Sequence, residues 1–282
     1  MKIEANKDLN GKVCVITGGC GVFGRVFSIA LINAGAKVAI LDYKKGRCEE
    51  CSVGIAKQEG SPVLCCVGNV LEKQSLIDAK NQINSEFGKV DVLINGAGGN
   101  SPSATTKDEF ITEDNINDLS RTFFGLGIEG FRSVFDLNFL GTMLPSMVFG
   151  EDMLNRGGSI INISSMNSYR PLTKIPAYSA AKASINNFTQ WLAVHFAKVN
   201  VRVNGIAPGF FLTNQNRFLL TDEKTGELTP RGHKILAGTP MGKFGEPEDL
   251  VGTLLYLITD VSKFITGVVI PVDGGFSAYS GV

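Results

Sequence analysis

Seven short apolar runs punctuate the chain, at 12–17, 37–42, 62–67, 90–95, 158–163, 200–206 and 267–272, and most are continuous rather than alternating. A strand buried on both faces reads this way, because neither set of alternate side chains meets water. Between the runs the apolar positions take helical spacing, as with Val22, Val26 and Ala30 beside Phe23, Phe27 and Leu31. Charged amphipathic segments follow near 45–59 and 71–87. Strand and helix therefore alternate, which predicts an α/β fold: a doubly wound parallel sheet of about seven strands with helices on both faces. No repeat, low-complexity tract or linker interrupts the pattern, so residues 1–282 read as a single domain.

Two connections are longer than the pattern needs, 97–128 and 208–245. Both follow the carboxyl ends of predicted strands, where ligands bind in such sheets, and both are expected to carry substrate contacts.

Composition narrows the function classes. The 282 residues are 44% hydrophobic, and Lys+Arg and Asp+Glu both number 27, so no whole-chain field attracts nucleic acid or an anionic membrane. The amino terminus, MKIEANKDLN, lacks a secretory apolar stretch, and no run approaches the ~18 residues of a membrane span, so a cytoplasmic location is expected. The six cysteines (14, 20, 48, 51, 65 and 66) all precede residue 67. In a chain this size they are expected to stay reduced. Cys48 and Cys51 invite a metal reading with Cys65 and Cys66, but the latter pair, adjacent on a strand, point to opposite faces. His233 has no second histidine nearby, so no metal is expected; His195, on the helix after Tyr178, reads as a partly buried structural residue.

The stretch KVCVITGGCGVFGRVFSIALINAGAKVAILDYKK places Gly18, Gly19, Gly21 and Gly24 between a strand and a helix. Such a turn lets main-chain amides approach a pyrophosphate at the helix amino terminus, the feature of a Rossmann-type dinucleotide site. Asp42 ends the next strand, 24 residues after Gly18, where a carboxylate accepts hydrogen bonds from an adenosine ribose and repels a 2′-phosphate. NAD is favoured over NADP, although Lys44, Lys45 and Arg47 follow and could neutralise a phosphate.

Farther on, Tyr178 and Lys182 stand four apart just inside a helix opened by Pro176, and so share a face. A phenol of reference pKa ~10 must be made more acidic to exchange protons near neutrality, and a neighbouring ammonium acts in that direction. With Ser165 thirteen residues before Tyr178, Asn95-Gly96-Ala97-Gly98, Asn138 in LNFLGT, Asn204 and Pro208-Gly209 in RVNGIAPG, and Asp273-Gly274-Gly275, the chain resembles the short-chain dehydrogenase/reductase superfamily along nearly its entire length.

The resemblance implies roles. Tyr178 would exchange the proton with the substrate oxygen, Lys182 would hold the nicotinamide ribose and depress the Tyr178 pKa, Ser165 would hydrogen-bond the reacting oxygen, and Asn138 would hold a relay water. Gly18, Gly21, Val22, Phe23 and Gly24 would meet the pyrophosphate; Asn69 and Val70 the adenine; Asn95, Gly96 and Ala97 the adenosine ribose. The backbone from Pro208 and Gly209 through Phe211 to Thr213 would meet the carboxamide. Two places depart from the family pattern: Gly21 stands one position early, with Val22 where a glycine is usual, and Asn69 replaces an aspartate.

The variant turn and the segments NGAGGNSPSATT and PVDGGFSAYSGV look like a subgroup regarded as D-mannonate oxidoreductases (fructuronate reductases). A sugar-acid substrate needs a cation and several polar partners. Arg170 and Arg217 lead, with Asn100, Asn167, Lys174, Asn214 and Gln215 as further candidates on or beside the long loops. Another polyol or keto-gluconate is the nearest alternative substrate, and a non-catalytic NAD-binding regulator the most distant reading. The family implies a homo-oligomer, dimer or tetramer, paired partly through the Tyr178 helix, whose apolar set is Ile185, Phe188, Trp191, Leu192 and Phe196.

Overall fold

The computed structural model describes residues 9–212, 220–222 and 225–281. Each apolar run forms a strand: β1 (Val13–Thr17), β2 (Lys37–Asp42), β3 (Val63–Val67), β4 (Val92–Asn95), β5 (Gly158–Ile163), β6 (Val201–Pro208) and β7 (Val269–Val272). Among the described residues they make one seven-stranded sheet in the order β3-β2-β1-β4-β5-β6-β7. Every pairing is parallel. All carboxyl ends therefore share one edge, and the order reverses between β1 and β4, so a crevice opens beyond their ends.

The helices are α1 (Val22–Asn33), α2 (Lys45–Glu59), α3 (Lys73–Glu86), α4 (Ile128–Phe135), α5 (Gly141–Gly150), α6 (Pro176–Phe196), α7 (Pro230–Ala237) and α8 (Val251–Ile258). Successive side chains of a strand face opposite ways, and the core divides accordingly. Cys14 and Ile16 of β1 pack with Phe27 of α1, Ile55 of α2 and Leu254 of α8. Val13 and Val15 pack with Leu76 of α3, Phe149 of α5 and Leu192 of α6. Phe149 is wholly buried, and truncating such a side chain to alanine costs about 3–5 kcal/mol.

A buried polar chain ties the sheet to the helices behind the crevice. Asn95 Nδ2 donates to Ser146 Oγ (2.9 Å) and Asn162 Oδ1 (2.8 Å), and Asn162 Nδ2 donates to Thr189 Oγ1 (2.9 Å). The chain fixes β4 and β5 against α5 and α6.

Two expectations are corrected. Cys48 on α2 and Cys65 on β3 form a disulfide rather than reduced thiols, because the helix packs on the strand and holds their Cα atoms 5.7 Å apart. The other four cysteines are free and buried. His195 is exposed, not partly buried, and stacks on Trp191 with centroids 4.9 Å apart. The long connections also carry structure: 3-10 turns at Pro102–Ala104, Leu119–Arg121 and Phe123–Gly125, and α7 within the second. On α6, Ile185 and Leu192 enter the core while Trp191 remains 58% exposed. Among the described residues no helix is long and apolar enough to cross a membrane.

Candidate active site

Two adjoining cavities fill the crevice. One, about 400 Å³, reaches from the β2 end at Asp42 past Asn69 and Val70 to Ala97. The other, about 330 Å³, holds Ser165, Tyr178 and Lys182 with Pro208, Gly209 and Phe211. Gly18, Gly21, Gly96 and Gly98 line both, so a continuous channel runs from an acidic end to a phenol.

The glycine turn shapes the middle of that channel. Gly18 has φ +64°, and a Cβ there would stand 2.9 Å from Ala97 Cα, so the two strand ends approach as closely as main chain allows. Thr17, unremarked in the sequence, fixes this approach: its buried Oγ1 accepts from the amides of Gly96 (3.1 Å) and Ala97 (3.2 Å). Gly21 is the N-cap of α1 with φ −70°, supplies no side-chain cap, and is followed by no acidic residue in the first turn. Val22 is then the first helical residue, which explains why the displaced glycine is tolerated: neither position needs a positive φ. The uncapped amides and the positive end of the helix dipole face a channel lined by Val22, Phe23 and Gly24, a cradle that fits a pyrophosphate. Asp42, 5% exposed, is placed to accept from a ribose. Arg47 lines the same cavity, but its Nη2 donates to Cys20 O (2.9 Å), binding α2 to the turn.

Other positions differ from their expected roles. Asn69 spends its side chain locally, accepting from Leu71 N (3.0 Å) and donating to Glu72 Oε1 (2.8 Å), although it lines the adenosine end. Asn95 belongs to the buried polar chain, so Gly96, Ala97 and Gly98 of that motif reach the cavity wall and Asn95 does not.

At the phenol end, β5 delivers Ser165 and α6 delivers Tyr178 and Lys182. Ser165 caps the turn Met166–Ser168, its Oγ accepting from Asn167 N (3.2 Å). Burial pushes the Tyr178 hydroxyl above the ordinary phenol range, and its hydrogen bond with Ser165 pulls it back. The Lys182 ammonium lies over the ring face, 5.6 Å from its centroid, and donates to Ile163 O at 2.7 Å. Burial moreover lowers Lys182 to about 7, which weakens its cationic character near neutrality.

Asn138 sits in a π-helical turn, Asp136–Leu140, between α4 and α5. The extra residue turns the amide inward, as such turns do at functional sites. Its Nδ2 donates to Gly99 O (2.7 Å) and Val134 O (2.8 Å), and its Oδ1 accepts from Gly99 N (3.2 Å). A Cβ at Gly98 would meet Asn138 Oδ1 at 2.7 Å and Lys182 Nζ at 3.3 Å, so the bare glycine lets these groups share one space.

The candidate substrate residues scatter. Asn167 is buried beside Ser165, with its Oδ1 unpartnered among the described residues. Asn100 is exposed and donates to Thr105 Oγ1. Arg170 donates from Nε to Ser277 O (3.2 Å) and lines a separate cavity. Thr213, Asn214, Gln215 and Arg217 lie outside the described residues. Among the described residues, no group of three or more His, Cys, Asp or Glu side chains could hold a metal ion.

The family model for short chain dehydrogenase matches residues 12–224. A solved structure from Haemophilus influenzae with bound NAD, provisionally assigned as a D-mannonate oxidoreductase, is 51% identical, covers 100% of both chains and superposes with a TM-score of 0.93. UxuB of Bacillus subtilis, an oxidoreductase of uncharacterised activity, is 50% identical over 99% of this chain and 100% of its own. The 2-dehydro-3-deoxy-D-gluconate 5-dehydrogenase of Formosa agariphila is 30% identical over 97% of this chain and 96% of its own.

Proposed function

The chain belongs to the short-chain dehydrogenase family, and from that premise we propose that it uses NAD to interconvert D-mannonate and D-fructuronate. It is an oxidoreductase acting on CH-OH groups. The observation that carries the fuller reading is the continuous channel, with Asp42 at one end and Ser165, Tyr178 and Lys182 at the other. The H. influenzae relative supports both the cofactor and the substrate, and the keto-acid dehydrogenase of F. agariphila supports a carboxylate-bearing ligand.

The residues divide the work. Asp42 selects the unphosphorylated ribose, and the α1 amides hold the pyrophosphate. When bound, NAD supplies the site that accepts or gives a hydride. Ser165 and Tyr178 hold the substrate oxygen. In oxidation the Tyr178 oxygen takes the hydroxyl proton and gives up its own as the C–H hydride leaves; in reduction the phenol returns the proton. Lys182, which burial lowers to about 7, passes that proton on beside Asn138, whose amide is pinned at three points.

A panel of hexuronates, aldonates, keto-gluconates and neutral polyols, followed by NADH absorbance, tests this. Turnover concentrated on D-mannonate and D-fructuronate is expected. Equal or better turnover of neutral polyols would reassign the substrate, and NAD binding with no turnover at all would favour a regulator. The exposed face of α6 around Trp191 is where we place pairing with a second copy, and sedimentation as a monomer would remove that.

A further inference from the structure

A third cavity of about 510 Å³ opens beside the phenol pocket and shares Phe210 with it. Three segments enclose it: residues 170–175, which join Ser165 to the Tyr178 helix, the first long loop at Glu109, and α7 with Arg231 and Lys234. They are fastened together by Thr106 N donating to Lys174 O (2.9 Å) and by the Lys234–Glu109 ion pair (2.6 Å).

Charge sets this cavity apart. In a chain of zero net charge, its lining gathers Arg170, Lys174, Arg231 and Lys234 against the single carboxylate of Glu109. Lys234 holds that carboxyl below its usual range, and Lys174 and Arg231 act on it in the same direction, so their fields converge on one space. Lys234 is already paired and Arg170 Nε is engaged by Ser277 O. Among the described residues no ion pair engages Lys174 or Arg231. Beneath them lies an apolar floor in which Phe276 packs edge-on against Phe210, centroids 5.1 Å apart. Cations over an aromatic floor suit a ligand with a carboxylate and a carbon-bound face.

We propose that Lys174 and Arg231 bind the substrate carboxylate, with Phe210 marking the passage from the reacting carbon to the acid end of the sugar chain. This rests on the sugar-acid reading above. Hexonates suit the layout because their carboxylate lies at the opposite end of the chain from the carbon oxidised next to the terminal CH2OH. The carboxylate-binding role falls to residues other than Arg170, the nearest cation in sequence to Ser165.

The test uses Lys174→Met, Arg231→Met and the double variant, with Arg231→Lys as a charge-conserving control. Initial rates with D-fructuronate and NADH give KM and kcat, and calorimetry of D-mannonate against the enzyme–NADH complex gives binding without turnover. Each Met substitution should raise KM and weaken D-mannonate binding about tenfold, as expected for loss of a charge-assisted contact, with kcat little changed. Arg231→Lys should recover most of the loss. Constants within twofold of wild type in the double variant, with the wild type active on the acid, would overturn the assignment while leaving the function intact. Wild-type enzyme that converts only neutral polyols would overturn the function first, and this carboxylate site with it.

Discussion

On the β1–β2–β3 side of the cleft the walls are largely main chain: the turn at Gly18, the uncapped amides of α1, and the Gly96-Ala97 strand end held by Thr17. On the β5–β6–β7 side they are side chains brought from separated segments: Ser165, Tyr178, Phe210 and, farther out, Lys174 and Arg231. Main chain recognises what every dinucleotide shares, a pyrophosphate, and leaves the ribose to the Asp42 side chain. Side chains on long loops recognise what differs between substrates. A fold can thus keep one side fixed while the other changes the substrate.

The sharpest way to break this division is Ser165→Ala. It removes the hydrogen bond that pulls the raised Tyr178 hydroxyl back down, so turnover should fall by about 10²–10³-fold and the acidic limb of the oxidation profile should move to higher pH. A rate–pH series checks both, and an unmoved limb would detach Ser165 from the phenol.

Gly18→Ala acts on the other side. A side chain at φ +64° facing Ala97 should weaken NAD binding by about ten- to a hundredfold in a fluorescence titration, while KM for the sugar acid changes little once the dinucleotide is saturating. Equal losses for both ligands would erase the proposed separation.

Lys182→Met tests the buried ammonium through stability. The folded pKa, about 7, lies below the ordinary lysine value of 10.5, so the unfolded chain binds more protons between them. This group's contribution to wild-type stability is full above 10.5 and is lost as pH falls to about 7, with a slope of at most about 1.4 kcal/mol per pH unit. Relative to wild type, the Met variant should gain Tm as pH falls from 10 to 7 and then level off. A difference flat in pH would mean that Lys182 is not desolvated.

Glu109→Gln should have the smallest effect. Losing the carboxylate frees Lys234 on an exposed pair, so KM for the sugar acid should drop by less than about twofold, with Tm unmoved. A rise in KM would reverse the sign of the field assigned to the third cavity.

The same division explains what could be read from the chain. All seven strands were legible because burial on both faces leaves continuous apolar runs, and the glycine turn because Gly18 and Asp42 follow from a local rule about main chain. Ser165, Tyr178 and Lys182 were legible as a spacing, but not their electrostatics. That Lys182 donates to Ile163 O and stands over the ring depends on how α6 meets β5. Thr17 left only a faint signal, a hydroxyl immediately before the glycine turn. Asn138 was readable as a candidate in LNFLGT, but the π turn that holds it has no sequence signature. The Cys48–Cys65 bond and the pairing of Lys174 with Arg231 across one cavity are tertiary facts, invisible to periodicity. Arg170 lines the third cavity beside Lys174 and Arg231 and not the Ser165 cavity, with its Nε already donated to Ser277 O, a division that closeness in the chain does not show.

The most direct test of the account is single-turnover oxidation of D-mannonate by Tyr178→Phe, with NAD affinity measured on the same sample. The phenol is held to be the proton acceptor, so the rate should fall by about 10²–10⁴-fold while NAD still binds. Wild-type rates from a variant that retains the ring and lacks only the hydroxyl would contradict it.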